Sequence, residues 1–468
     1  MRAATTRSSH QGGQSLIMLT LALVPMFGIM GMVTDLGYMH FVKMEAQTAA
    51  EAASKAAIVN LHATVGGALT TCSTSVVCAN TITQCPTNIT TPQNSIEVGC
   101  MYAAQHGFQA TGNQNVTYQT GGSSLAGTSA APPTASGINS VSYWVTYRVA
   151  QKVPQMFSSL LGFQNGMVAA RSTAVVVGAT DCIYALDPSA DSALNVNGSA
   201  ELTAQCGLYV NSSSPTALSC NGHGSSASFA YDATEYDVVG GSGCAPANLA
   251  NAAANTGLAH ITDPLAGLPV PASPPYTCDH TGTFNVDVGG SNPDTTQVPL
   301  SPGVYCGGIN VKKGTAVFGS GQYIIVGGGI QTQNTNSHID ATAGIFIYNT
   351  FGTVGGTTYS FGGINIVANS SANMKAMTSG TYAGVLYFED RNAPASTDTF
   401  SGGSASTYTG TLYALKSEID LFGNPNLSSA AYTIIVANKI NLTGSSQLND
   451  DYSSLSGGNP LTTTAVVE

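Results

Sequence analysis

Charge is what this chain has least of. Asp, Glu, Lys and Arg together make up 8% of its 468 residues, against roughly 25% in an ordinary soluble protein. The formal net charge is −11, and no basic patch is present to neutralise phosphates, so a nucleic-acid partner is not expected. Cysteine is absent before Cys72 and after Cys306, and no Cys-x-x-Cys pair or finger-like His spacing occurs, which leaves a zinc site unsupported. The glycine-rich runs lack a following Lys-Ser/Thr and so form no phosphate loop. No G-x-S-x-G elbow is present either. Long charge blocks are also missing while 43% of residues are hydrophobic, which excludes a disordered chain. What abounds is glycine, 53 residues of it, with serine, threonine and asparagine. That mix suits β-structure with many tight turns, in a chain long enough for two or three domains.

Ten cysteines are present: Cys72, Cys78, Cys85, Cys100, Cys182, Cys206, Cys220, Cys244, Cys278 and Cys306. Their even number points to disulfides in an oxidising compartment. Connectivity is open, with near neighbours such as Cys182 with Cys206 and Cys278 with Cys306 as natural pairs.

From Ser15 to Val33 the chain reads SLIMLTLALVPMFGIMGMV without a charge, about 19 residues against the ~20 that a helix needs to cross a hydrocarbon core. Pro25 and the glycines are tolerable in a membrane helix. Arg2 and Arg7 precede the segment and Asp35 follows it. The positive-inside rule therefore places the short N-terminus in the cytoplasm and the remainder outside. A cleavable signal peptide is the rival reading, but its apolar region would be shorter. Asp35 either marks the water interface or docks to a partner's membrane helix. Beyond it, Met39, Val42, Ala46, Ala49, Ala50, Ala53, Ala57 and Leu61 recur at helical spacing, a packing face on one long helix that leaves the membrane.

The segment GGQSLIMLTLALVPMFGIMGMVTDLGYMHFVKMEAQTAAEAASKAA resembles the N-terminal segment of TadG-like proteins of the Tad (Flp) pilus-assembly system. The positions that carry the resemblance are Gly13, Pro25, Asp35, Gly37, Gln47, Ala49, Ala50, Glu51, Ala52 and Ala53, with Glu51 where the family usually has Asp. Pilin precursors resemble one another in placing a Glu five residues past the cleaved glycine. Here Met18 or Ile17 stands there, so processing as a fibre subunit is not expected. The resemblance implies a bacterial inner-membrane accessory protein with Tad assembly proteins or pseudopilins as partners. It also implies a pilin-like α+β domain in helix–strand–helix–strand order.

In that domain GCMYAAQHGF reads as a helix closed by Gly107. SVSYWVTYRVA reads as an alternating strand, and Val153–Gly178 as a short amphipathic helix, a turn and a strand. Gly121–Gly137 reads as an exposed loop. Around Asn197–Gly198 two strands flank hairpin chemistry. The Ala/Pro-rich stretch to Pro275 looks like a connection. After it, short strands recur every ~20–25 residues with Gly and Asn turns. That pattern predicts a right-handed β-helix or solenoid, with a β-sandwich as runner-up. The expected organisation is a cytoplasmic N-terminus at 1–14, a transmembrane helix at 15–34 and the α+β domain at 35–180. A β-rich hairpin region and linker at 181–275 and the solenoid at 276–468 would complete it.

No catalytic constellation emerges. The densest charge group, FEDR (Phe388–Arg391), offers a carboxylate pair with an arginine, but a solvated turn after a buried strand explains it as well. His338 and Asp340 alternate on one strand, as an exposed strand face or a metal pair. The sequons at Asn197 and Asn441 are expected by chance in so Asn-rich a chain. The leading expectation is a non-enzymatic, membrane-anchored assembly protein without cofactors. One alternative is a surface adhesin binding envelope glycans through Tyr359, Phe361, Tyr382, Tyr387, Phe388 and Tyr408. The other is a tethered polysaccharide-cleaving enzyme using Asp390 or Asp420.

Overall fold

In a computed structural model of the chain, the described residues are 12–65, 72–122, 131–133, 141–197, 202–221, 231–250, 253–271, 275–288, 296–401, 406–422, 430–443, 446–455 and 458–467. Arg2, Arg7, most of the Gly121–Gly137 loop and Gly198 lie outside them. The chain divides into two compact units, one from residues before 178 together with the last few, the other from 178 to 463.

The first unit is built on α1 (Gly12–Val65), a single helix that runs through Pro25. Its second half buries Val42, Ala46, Ala49, Ala50, Ala53, Ala57 and Leu61, as the spacing leads one to expect, with Ile58 added and Met39 only partly buried. An antiparallel sheet runs in the order β1 (Thr83–Gln84), β2 (Gln114–Gly121), β3 (Val141–Pro154), β4 (Asn165–Gly178). The final strand, Thr462–Val466, joins at the β4 edge. Small residues let α1 approach the sheet closely, and Ser54 Oγ lies 2.8 Å from Ser172 Oγ of β4. A second helix, α2 (Ser95–Gln105), starts at Asn94, whose side chain accepts the Glu97 N–H, and gives way to Gly107 at positive φ. The disulfides Cys72–Cys78 and Cys85–Cys100 fasten this unit. The β3–β4 connection holds only a short 3₁₀ turn, Ser158–Leu161, where the sequence pattern suggested an amphipathic helix. Gly162 in a left-handed conformation stops it after one turn.

The second unit is mainly β, and all pairings within its large sheet are parallel. This overturns the β-sandwich alternative, which needs antiparallel sheets. Each strand pairs with one about a tier later in the chain. Along one face Gly303–Cys306 pairs with Gly321–Val326, which pairs with the Ile345–Thr350 half of Ser337–Thr350. Then come Val385–Glu389, Thr407–Phe422 and Thr433–Thr443. The next tier is not later in sequence: Thr433–Thr443 pairs with Asp181–Ala185 and Leu194–Asn197. These continue through Gly207–Val210 to Tyr236–Val238. The earliest strands of the unit are thus stacked after its last ones.

That order also corrects the hairpin reading at Asn197. The flanking strands Leu194–Asn197 and Leu202–Ala204 pair with neighbouring tiers instead of with each other.

Stacking the first tiers on the last obliges the chain to return along the whole ladder, and the Pro-rich stretch does so. Asn211 holds Ile261 through both its oxygen and its amide nitrogen, and Tyr209 Oη donates to the Ala259 carbonyl at 2.5 Å. Further on, Tyr413 Oη donates to Asp263 Oδ2 at 2.7 Å. Arg391 donates to the Leu265 and Leu268 carbonyls and to Tyr413 Oη, with Asp263 3.5 Å from its Nε. The return reaches the opposite end at the Cys278–Cys306 disulfide. Strands such as VLYFE are therefore buried on both faces, which is why they read as unbroken apolar runs. Tyr387 points to the tier interior column of Ile347 and Leu412, while Phe388 stacks on Tyr413 beside the strap.

Arg391→Ala leaves two carbonyls of the strap, those of Leu265 and Leu268, without their donor and is expected to cost about 1–3 kcal/mol. Thermolysin should then cut within residues 257–271 well before the rest of the unit. Arg391→Lys should rescue only partly, because an ammonium lacks the planar fork. Unchanged cleavage in Arg391→Ala would show that the strap's remaining contacts, those of Tyr209, Asn211 and Tyr413 among them, hold it without the arginine.

Candidate functional site

The residues singled out on α1 fall into two groups. Gly13 lies in the helix's first turn and Pro25 in its exposed apolar half. From residue 18 to 34, Gly31 is the one buried position among the described side chains, while Met18, Leu21, Ile29 and Val33 are each more than 60% exposed. This helix is long and apolar enough to span a membrane. Gly37 faces open space. Gln47 donates to Glu51 Oε1 at 2.7 Å on the outer side, one helical turn apart. Ala50 and Ala53 are fully buried in the unit's own core.

Asp35 stands apart. It is 4% exposed, and its carboxylate accepts the backbone N–H groups of Met156 (3.0 Å), Phe157 (3.1 Å) and Ser158 (2.7 Å). The three successive amides open the turn at the tip of the β3–β4 hairpin and form a small anion-binding concavity. Neither expectation for Asp35 foresaw this: its partner is a loop of its own chain. No signal in the sequence marks this contact, because its donors are main-chain N–H groups that any residue type supplies. On the outer sheet face, a groove of about 450 Å³ includes Tyr118, Arg148 and Arg171 in its lining, with the two arginines directly opposite across β3 and β4.

In the second unit the FEDR residues separate. Glu389 is fully buried, not on a solvated turn, because the strand continues through it. Its carboxyl meets that of Asp398, which accepts the Ile364 N–H at 2.7 Å and the Tyr387 hydroxyl at 2.9 Å. Asp390 accepts from Thr350 Oγ1, and Arg391 holds the strap. Burial pushes Glu389 and Asp398 up, and the Asp398 charge raises Glu389 further. Asp420 is raised by burial and by Glu418, and Asp181 is pushed up to about 7 by burial, then by Asp237 and Glu235. His338 Nδ1 lies 2.6 Å from Ser371 Oγ, whereas Asp340 bonds Thr342. Among the described residues no three His, Cys, Asp or Glu side chains converge on a metal position. The proposed aromatic platform is largely internal: Tyr387, Phe388 and Tyr408 are fully buried and Tyr382 nearly so.

Residues 13–64 match the family model of the Tad, Flp pilus-assembly TadE/G-like segment. The match covers α1 almost end to end and stops before the first disulfide. No curated protein and no solved structure matches the chain. The TadE/G-like segment thus includes Asp35, the apolar half of the helix and the alanine face. All five disulfides lie beyond it, and both guessed pairs, Cys182–Cys206 and Cys278–Cys306, are present.

The raised carboxylates give a pH dependence of definite sign. Above pH ~4 an unfolded Asp181 is ionised, while the folded one keeps its proton up to about pH 7. The folded state then binds more protons, so stability falls as pH rises through that window. The Glu389–Asp398 pair acts in the same direction. Thermal denaturation followed by circular dichroism should give a higher Tm at pH 5 than at pH 8. Asp181→Asn combined with Glu389→Gln should shrink the difference, and an undiminished difference would assign it to other groups.

Proposed function

We propose that this chain is a membrane-anchored, exported, non-enzymatic component of Tad/Flp-type pilus assembly. The TadE/G-like match over residues 13–64 carries the reading, because it falls on the helix that, among the described residues, is long and apolar enough to cross a membrane and lies exposed along its apolar half. In this reading 1–14 is cytoplasmic, 15–34 crosses the bacterial inner membrane once, and the disulfide-bearing remainder lies beyond it. The long helix on an antiparallel sheet supports a pilin-like α+β domain at 35–180. The parallel tiers support a β-solenoid, to which the tiers at 181–255 and the strap up to 275 contribute as well as residues 276–461, while the strand Thr462–Val466 joins the first unit's sheet instead. A rigid, weakly charged stack of this kind suits a scaffold or docking role better than turnover, since the carboxylates of Glu389 and Asp398 are buried inside it.

Assembly contacts fall to the surfaces that α1 leaves open. Ala50 and Ala53 hold its own sheet, and Asp35 holds its own hairpin. Gly37, Pro25 and the exposed apolar side chains remain available to the membrane helices of related subunits.

Mild detergent extraction from the native membrane, with mass spectrometry of co-purifying proteins, tests this. Tad secretion components or pseudopilins should accompany a chain that keeps its N-terminal segment. Recovery of the chain alone, or cleaved after the apolar stretch, would contradict an anchored assembly role.

A further inference from the structure

The β3–β4 hairpin lies along α1 with its tip toward the helix's apolar end. Ser172 sits beside Ser54, Val153 and Val168 pack with Val42 and Met39, and residues 156–158 close on Asp35. A Cβ on Gly31 would meet the Phe157 ring at 2.6 Å. The tip therefore reaches a full helical turn past Asp35, into the stretch that has the character of a membrane span. Its chemistry matches that position. No charged residue lies between Lys152 and Arg171, and Met156, Phe157, Phe163 and Met167 are exposed, by 75%, 44%, 70% and 60%. A soluble surface rarely gathers so many large apolar side chains beside another apolar surface.

The helix bears the same mark. Leu36, Tyr38 and Phe41 are more than half exposed beyond Asp35, and the next formal charge is Lys43. From Asp35 to Phe41 is about 9 Å of helix, close to the ~5–10 Å depth at which apolar groups lodge in the headgroup boundary. Asp35 interrupts this belt in sequence only, because its carboxylate is covered by three amides.

We propose that the β3–β4 tip is a second membrane contact, dipping Met156, Phe157 and Phe163 into the outer headgroup–acyl boundary beside α1. The proposal rests on the reading of α1 as a membrane span. Two contacts at separate points would fix the rotation and tilt of the first unit on the bilayer, which a lone helix would leave free.

All described cysteines are in disulfides, so an introduced thiol can carry a single environment-sensitive fluorophore. The full chain with Phe163→Cys, and separately Met156→Cys, is labelled and reconstituted into phosphatidylcholine vesicles with or without doxyl-labelled lipid. Leu21→Cys reports the span and Tyr102→Cys a surface away from it. The tip labels should be blue-shifted and lose at least half their emission to a doxyl group near the headgroup, while Leu21→Cys is quenched by one near the chain end. Quenching at Leu21 without quenching at the tip would overturn the proposal and leave the span standing. A blue shift at the tip without doxyl quenching would place the tip against protein, its own chain or a second copy, and also overturn the proposal. Absence of quenching at Leu21 would defeat the span reading and the tip with it.

Discussion

A carboxylate at the edge of an apolar helix must find partners, and the three amides that close on Asp35 decide how the first unit is arranged. The contact ties a helix position to a hairpin more than a hundred residues later in the chain, and it sets which way the hairpin points. With the tip fixed there, β3 and β4 run back along α1. The alanine stripe then meets the sheet at close range and Ser54 finds Ser172. Without that contact, α1 and the sheet would still share small and apolar surface, but the Ser54–Ser172 hydrogen bond would be left to choose their register.

The second unit solves a related problem of unpaired backbone. A parallel ladder leaves a row of free N–H and C=O groups at each end, and its terminal tiers have a neighbour on one side only. Three disulfides sit at those ends. Cys182–Cys206 and Cys220–Cys244 link successive tiers at one extremity, and Cys278–Cys306 links the first two at the other. The tiers between carry no cysteine and rely on packed side chains, including the stacked Phe346–Tyr382 and Phe388–Tyr413 pairs. The strap from Ala259 to Leu268 adds a longitudinal tie across several tiers, with Arg391 as its principal cross-link. Inside the stack, Glu389 and Asp398 exchange solvent for each other and for Tyr387, which makes the unit more tolerant of mild acid than of base.

Local features of this fold were legible in the chain itself. The apolar run, the helical stripe from Val42 to Leu61, the β3 strand and the Gly107 stop all carry short-range signals, and the structure holds each of them, although β3 buries Tyr143–Tyr147 without the expected alternation. Long-range choices were not legible. The Asn197–Gly198 dipeptide suits a hairpin, yet the partners of its flanking strands lie in other tiers, some of them more than two hundred residues away. Nothing local indicates that strand 181–185 stacks on strand 433–443, because a parallel tier needs only apolar residues at the right phase. Glu389 misled for the same reason: FEDR looks like a turn until Asp398 is brought against it. Asp35 was visible as an anomaly, but its partners are backbone amides, and these have no sequence signature.

The most direct test of the account is hydrogen exchange of the full chain in lipid nanodiscs, read by mass spectrometry over the peptide spanning Met156–Ser158. The amides should be protected in the wild type and exchange rapidly in Asp35→Ala, with the peptides of the parallel ladder unchanged. Equal protection in the two proteins would show that Asp35 does not hold the hairpin tip, and the coupling between α1 and the sheet would have to come from elsewhere.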